Sequence, residues 1–261
     1  MTNELLTLAT DAARAAATLL RDQRPSTLQI ATKSTATDVV TDMDHAAERL
    51  LVQQLRAARP DDGFLGEEGA DEQGTSGLTW VLDPIDGTVN YLYGIPGYAV
   101  SIGLRDGSGM VIGVVCNPVS GELWSAQRGQ GAFLDGHPIR VNEPTDLAMA
   151  LLATGFGYDA ARRARQADVL RSVLPRVRDI RRFGAASLDL CAVACGRVDA
   201  YYERGLKPWD LAAGGLIAEE AGARVDGLAG RPAGEDLVIA APQALFGPLA
   251  ELLAANRAAE D

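Results

Sequence analysis

Residues 80–90 read WVLDPIDGTVN. The apolar segment Leu78–Leu82 that leads into it reads as a short buried strand. Pro84 is expected to end that strand at Asp83, because proline cannot donate into a sheet ladder. The turn that follows carries Asp86, Gly87 and Thr88. A strand end that displays carboxylates, followed by a glycine that exposes backbone N–H groups, suits a cation and a phosphate together. A helix opening near Thr88 would add free N–H groups that favour an anion. Taken alone, DxxDGT is equally a polar turn with Asx-type caps, so its meaning depends on acids elsewhere in the chain.

Those acids exist. In DDGFLGEEG (61–69), Gly66 and Gly69 bracket Glu67 and Glu68, and Phe64 and Leu65 form a brief apolar anchor ahead of them. In KSTATDVVTDMD (33–44), Thr41 and Asp44 have the spacing of a capping box, with Asp in place of Glu. The helix they open is expected to run to about Arg59 and stop at Pro60. In KPWDLAAGGLIAEEAG (207–222), Pro208 suits a helix start and Asp210 falls in the first turn. Each acid has an ordinary explanation: solvated charge for the glutamates, a favourable dipole interaction for Asp44 and Asp210. Together, Asp44, Glu67, Glu68, Asp83, Asp86 and Asp210 offer oxygen ligands from separate loops and helix starts, which hard divalent cations require. Two such cations roughly 3.5–4 Å apart clamp an in-line phosphoryl hydrolysis, and Asp83 is best placed to bridge them.

The bulk numbers narrow the class. The 261 residues suit one large domain or two small ones sharing a cleft. Hydrophobic residues make up 47 %, enough for a sizeable core. A net charge of −11, with 35 acidic against 24 basic residues, repels nucleic acid and anionic membranes, and no direct nucleic-acid binding is expected. No apolar run approaches a membrane span, and the N-terminal stretch lacks the basic start of a signal peptide, so a cytoplasmic location is expected. The three cysteines suggest no disulfide framework. Two histidines, His45 and His137, are too few for a poly-histidine zinc site, and both are expected at the surface without a role.

Along the chain, Leu5, Leu8, Ala12, Ala15 and Leu19 recur at helical spacing. Residues 70–77 read as a surface loop. Strand-like runs at Tyr98–Leu104, Met110–Cys116, Glu122–Ala126 and Gly131–Leu134, separated by glycine-rich turns, form an expected antiparallel meander. A composition shift near Asn142–Ala148 marks the expected boundary between an α+β half (1–145) holding most metal ligands and an α/β half (146–261) completing the substrate site. The second half is expected to hold strands at Leu151–Thr154, Val177–Phe183, Val198–Glu203 and Leu237–Ala240, with helices at 159–174, 184–195, 207–222 and 242–256.

At this point the motifs converge. GEEG (66–69), WVLDPIDGTVN (80–90), GAASLDLCAVACGRVDAYYE (184–203) and KPWDLAAGGLIAEEAG (207–222) resemble, in order and spacing, the inositol monophosphatase family of the lithium-sensitive, magnesium-dependent phosphatase superfamily. The resemblance covers almost the whole chain. It implies a five-layered α-β-α-β-α sandwich, a homodimer, and Mg²⁺ as cofactor, with two or three ions. It implies that Glu67, Asp83 and the carbonyl of Ile85 hold one ion, that Asp83, Asp86 and Asp210 hold a second, and that a weaker third lies near Glu67. Gly87 and Thr88 would donate N–H groups to the phosphate, and Asp44 and Thr88 would activate the attacking water. Glu203, Asp210 and the backbone at Gly184–Ala186 would meet ring hydroxyls, with Arg181 or Arg182 beside the ring. Only one of those arginines can face the site from a strand. Lys33 matches a lysine of the animal members' mobile loop, whereas Lys207 stands where they have His and Val89 where a Thr is common. No covalent phospho-enzyme is implied. The implied reaction is hydrolysis of an inositol monophosphate. Alternatives are a related phosphomonoesterase, such as a histidinol-phosphatase or sugar phosphatase, and a regulatory role in transcription complexes.

Overall fold

In a computed structural model of the chain, residues 2–144 and 146–260 are described. Helix α1 (Thr2–Asp22) keeps one apolar face, Leu5, Ala9, Ala12, Ala16 and Leu20, fully turned inward. The polar stretch after it holds a small hairpin, β1 (Ile30–Thr32) with β2 (Val39–Thr41). Thr41 then caps α2 (Asp42–Ala58): its Oγ1 accepts from Met43 N at 3.2 Å, and its own N–H donates to Asp44 Oδ2 at 2.8 Å. The capping box read from Thr41 and Asp44 is therefore present.

An eight-stranded sheet follows: β3 (Gly63–Gly66), β4 (Asp71–Glu72), β5 (Thr79–Asp86), then, after the short helix α3 (Thr88–Tyr93), β6 (Ala99–Asp106), β7 (Gly109–Cys116), β8 (Leu123–Gln127), β9 (Ala132–Leu134) and β10 (His137–Ile139). Its order is β10-β9-β8-β7-β6-β5-β3-β4. From β6 to β9 it is the expected antiparallel meander, which β5 and β10 extend by antiparallel pairing at either end. Two expectations need correction. Phe64 and Leu65 are part of a strand, parallel to β5, and Asp71–Glu72 pair with it inside what reads as loop. The β5 strand does not stop at Asp83 but runs to Asp86. Its pairing with β6 slips between Asp83 and Asp86, and Pro84 lies in that irregularity, where the missing N–H breaks no ladder bond.

The second sheet is built from β11 (Leu151–Thr154), β12 (Asp179–Arg181), β13 (Ala200–Glu203), β14 (Arg224–Asp226) and β15 (Val238–Ala241), in the order β12-β11-β13-β15-β14. The helices between them are α4 (Ala160–Val173), α5 (Ala186–Ala194), α6 (Pro208–Glu220) and α7 (Gln243–Ala255). Strand β12 is shorter than the expected Val177–Phe183, because it is an edge paired with β11 alone, and Arg182 and Phe183 leave the sheet. Strand β14 has no clear signal in the sequence.

Three buried clusters define five layers. Helices α1 and α2 cover one face of the large sheet with Leu51, Leu55, Trp80, Ile102 and Val114. Helices α5 and α6 lie between the two sheets, against Val115 and Trp124 on one side and Tyr201 and Val238 on the other. Helices α4 and α7 cover the outer face of the small sheet, where Tyr202 and Ile239 point. Successive residues thus serve opposite faces, Val114 and Val115 in one sheet, Tyr201 and Tyr202 in the other. Helix α6 is apolar nearly all round, as a helix sandwiched by two sheets requires. It also sits close: a Cβ added at Gly113 would lie 2.6 Å from the Ala213 carbonyl oxygen. This α-β-α-β-α stacking is the expected five-layered sandwich, of mixed α/β class.

Candidate active site

The site forms where the two sheets face each other across α5 and α6. The end of β5 delivers Asp83, Ile85 and Asp86. Gly87 turns the chain with φ +91°, a conformation that favours glycine, and a Cβ there would lie 2.9 Å from Gly97 O. Thr88 follows at the start of α3. Helix α6 supplies Asp210 from its first turn, where Oδ2 accepts from Lys207 N at 2.7 Å. One carboxylate oxygen from each of Asp83, Asp86 and Asp210 lies within 4.8 Å of the others.

Each acid is held by its own local bonds. Asp83 Oδ1 accepts from Ile85 N at 3.0 Å. Asp86 accepts from Ala186 N at 3.2 Å, Ser187 N at 2.6 Å and Ser187 Oγ at 2.5 Å, which ties the end of β5 to the start of α5. Asp44 is completely buried behind Thr88. Its Oδ2 accepts from Thr41, and its Oδ1 lies 3.1 Å from Thr88 Oγ1, which is also 3.0 Å from Ile85 O. Glu67, in the turn after β3, meets Lys33 Nζ at 2.7 Å, and the same ammonium lies 2.5 Å from Glu68. Glu203, at the end of β13, accepts from the Tyr201 hydroxyl at 2.7 Å.

Burial dominates the electrostatics. It pushes Asp83 and Asp210 well above the carboxylate range, and neighbouring acids push them further. Asp44 and Asp86 are raised by burial despite their hydrogen bonds. Glu67 is pushed up to about 7, with Lys33 opposing. Glu203 is also pushed up to about 7, opposed by Tyr201 and Arg182. Carboxylates crowded this closely stay ionised together only with added positive charge. An all-oxygen set of aspartates and a glutamate, with the Ile85 carbonyl beside it, fits a hard divalent ion such as Mg²⁺.

A cleft of about 510 Å³ opens above these acids. Of the residues read from the sequence, it is lined by Glu67, Asp83, Ile85, Asp86, Gly87, Thr88, Arg182, Gly184, Ala186, Glu203 and Asp210, and also by Lys33 and Lys207. Asp44 reaches it only through the Thr88 hydroxyl. Of the two arginines left open by the sequence, Arg182 is the one that lines the cleft. Arg181 turns to Asp179 at 2.6 Å and stays exposed outside the cleft. Sequence reasoning missed Ser187, which holds Asp86, and Asn90, whose Nδ2 donates to Gly97 O at 2.6 Å and Phe183 O at 2.7 Å and so joins the Gly87 turn to the Arg182 loop. Both lie inside motifs quoted from the sequence, but the bonds from Asn90 to Phe183 and from Ser187 to Asp86 span 93 and 101 residues, and no motif shows them.

The sequence matches the Inositol monophosphatase family over residues 1–260. The chain belongs to the inositol monophosphatase family. It is 52 % identical over 232 residues to the inositol-1-monophosphatase SuhB of Mycobacterium tuberculosis, covering 85 % of this chain and 79 % of that protein. It is 41 % identical over 227 residues to a Nus factor SuhB of Pasteurella multocida, covering 85 % of each. The crystal structure of the extragenic suppressor protein suhB from Bartonella henselae superposes with a TM-score of 0.91 at 37 % identity, covering 96 % of this chain and 98 % of that one. Membership of the inositol monophosphatase family makes this chain an enzyme of the phosphatase class, and the cluster of Asp83, Asp86 and Asp210 is consistent with a divalent-metal site. No helix among the described residues is long and apolar enough to cross a membrane.

Proposed function

We propose that the chain hydrolyses an inositol monophosphate to inositol and phosphate in the cytoplasm, with Mg²⁺ as cofactor. The observation that carries the reading is the convergence of Asp83, Asp86 and Asp210 at the floor of a cleft that also holds Glu67, Thr88 and Glu203. Glu67, Asp83 and the Ile85 carbonyl would hold one ion, and Asp83, Asp86 and Asp210 a second, with a weaker third beside Glu67. Bound there, Mg²⁺ neutralises the buried acids, attracts the phosphate and acidifies water.

The remaining chemistry belongs to side chains and backbone. The Thr88 hydroxyl donates to Asp44 and thereby turns an oxygen lone pair toward a water in the cleft. Asp44, fixed by two bonds from Thr41, keeps that hydroxyl oriented and favours loss of a proton from the water. The N–H groups of Gly87 and Thr88 take phosphate oxygens. The Glu203 oxygen not bonded to Tyr201 accepts from a ring hydroxyl, and Arg182 and the backbone at Gly184–Ala186 close the ring end. A site built to accept hydroxyl protons rejects a leaving group that lacks them.

The test is a substrate panel with purified protein. Inositol 1-phosphate should be cleaved faster than histidinol phosphate or sugar phosphates. Activity should vanish in EDTA, return with Mg²⁺ and fall with millimolar-scale Li⁺. Full activity in chelator, or a preference for histidinol phosphate, would overturn the reading.

The oligomer proposed is a homodimer. Tyr93, Ile95 and Phe183 are 75 %, 48 % and 41 % exposed, and Asn90 bonds the loops that carry them together. Light scattering should give twice the chain mass. A second reading rests on the relative named a Nus factor: a part in a transcription complex beside catalysis, checked by pull-down with transcription factors.

A further inference from the structure

Glu67 stands on a turn with little internal structure. Between β3 and β4 the chain reverses over four residues, Glu67, Glu68, Gly69 and Ala70, and the turn closes on itself through one backbone bond, Gly66 N to Ala70 O at 2.6 Å. Glu67 N donates to Leu82 O of β5 at 3.2 Å. The next two bonds come from another element. Glu68 N donates to Glu48 Oε2 at 2.9 Å, and Ala70 N donates to Glu48 Oε1 at 3.0 Å. Glu48 lies on α2, is 6 % exposed, and uses one oxygen for each amide. The fit is close: a Cβ at Gly66 would lie 2.2 Å from Glu48 Oε2. Gly66 therefore leaves the space that lets the carboxylate reach the turn.

Glu48 follows Asp44 by one helical turn, so the two project from the same face of α2. One helix thus bonds Thr88 through Asp44 and the Glu67 turn through Glu48. We infer that Glu48 is a positioning residue that sets the place of Glu67 relative to Asp83, and so sets metal affinity without touching metal or substrate. The inference rests on the metal reading proposed above. Outer partners of ligands typically change metal affinity about 10–100-fold when removed. The chemical reason here is direct. Losing one carboxylate acceptor leaves a half-buried N–H unpaired and frees the turn to rotate, while every ligand oxygen is retained.

The test is Glu48→Gln, whose amide keeps one acceptor and opposes the other backbone N–H with its own donors. Mg²⁺ is titrated into wild-type and variant protein by calorimetry, beside kcat at saturating Mg²⁺ and Tm in EDTA. The expected result is about 10–100-fold weaker Mg²⁺ binding, with kcat near wild type once Mg²⁺ is raised. Gly66→Ala, which retains Glu48 but displaces its carboxylate, should weaken Mg²⁺ in the same direction and guards against a Gln variant that does not fold. Unchanged Mg²⁺ affinity in a folded variant, or a loss of Tm alone, overturns the inference and leaves the metal reading standing. A wild-type protein that binds no Mg²⁺ overturns both.

Discussion

Asp83 and Thr88 stand five residues apart and do different work. Asp83→Asn removes charge at the position proposed to serve both ions, and saturable Mg²⁺ binding should be lost in a calorimetric titration. Thr88→Ala keeps every carboxylate. Its Mg²⁺ isotherm should match wild type while kcat falls about 10²–10⁴-fold, the usual loss for a proton-handling group. Restoration of its rate by extra Mg²⁺ would remove Thr88 from water activation. The two arginines separate as sharply. Arg182 lines the cleft, and a charge-assisted hydrogen bond is worth about 1.5–3 kcal/mol. Arg182→Ala should therefore lower kcat/KM about 10–100-fold. Arg181, bonded to Asp179 outside the cleft, should be replaceable by Ala with kcat/KM unchanged. Steady-state kinetics on the two variants decides this. At this scale the sequence exposes residues that announce themselves by type and motif, the acids above all. It leaves the arginines undecided because alternation in a strand needs the strand's end, and β12 ends at Arg181, one residue before the arginine that lines the cleft.

Elements bring their own test. Helix α6 carries Asp210 and is pressed between two sheets, with Gly113 of β7 beneath Ala213. Gly113→Ala should push the helix outward, lowering stability by about 1–3 kcal/mol as overpacking does, and should weaken Mg²⁺ binding because Asp210 moves with its helix. Thermal unfolding and Mg²⁺ titration of the same sample check both. An unchanged Mg²⁺ isotherm beside a lowered Tm would mean that Asp210 is placed by its Lys207 cap alone. Helix starts were legible because capping is local: Thr41 with Asp44, and Pro208 with Asp210, act within four residues. The extension of β5 past Pro84 was not, since a bulge is defined by the partner strand, and β6 lies beyond the turn.

Across the whole molecule, acids gathered for a cation destabilise the chain that lacks one. Glu67 and Glu203 are pushed up to about 7. Between the ordinary glutamate range and that value, the folded chain holds protons that the unfolded chain has released. Metal-free stability is therefore greatest below the ordinary range and falls as pH rises towards about 7. Ion binding needs deprotonated acids, so the stabilisation by Mg²⁺ should grow over the same interval. Scanning calorimetry in EDTA and in Mg²⁺, at about pH 5 and about pH 8, checks both signs. A Tm in EDTA that rises with pH over this interval would contradict the burial of these acids. The sequence by itself determined the ligand chemistry, the helix caps, the meander and the family, since these depend on residue type and short spacing. Tertiary structure alone decided which acids meet, which arginine faces the cleft, and which turns Glu48, Ser187 and Asn90 bond to one another. Those outcomes depend on contacts between residues separated by 20 to 101 positions, and such contacts exist only once the layers have packed.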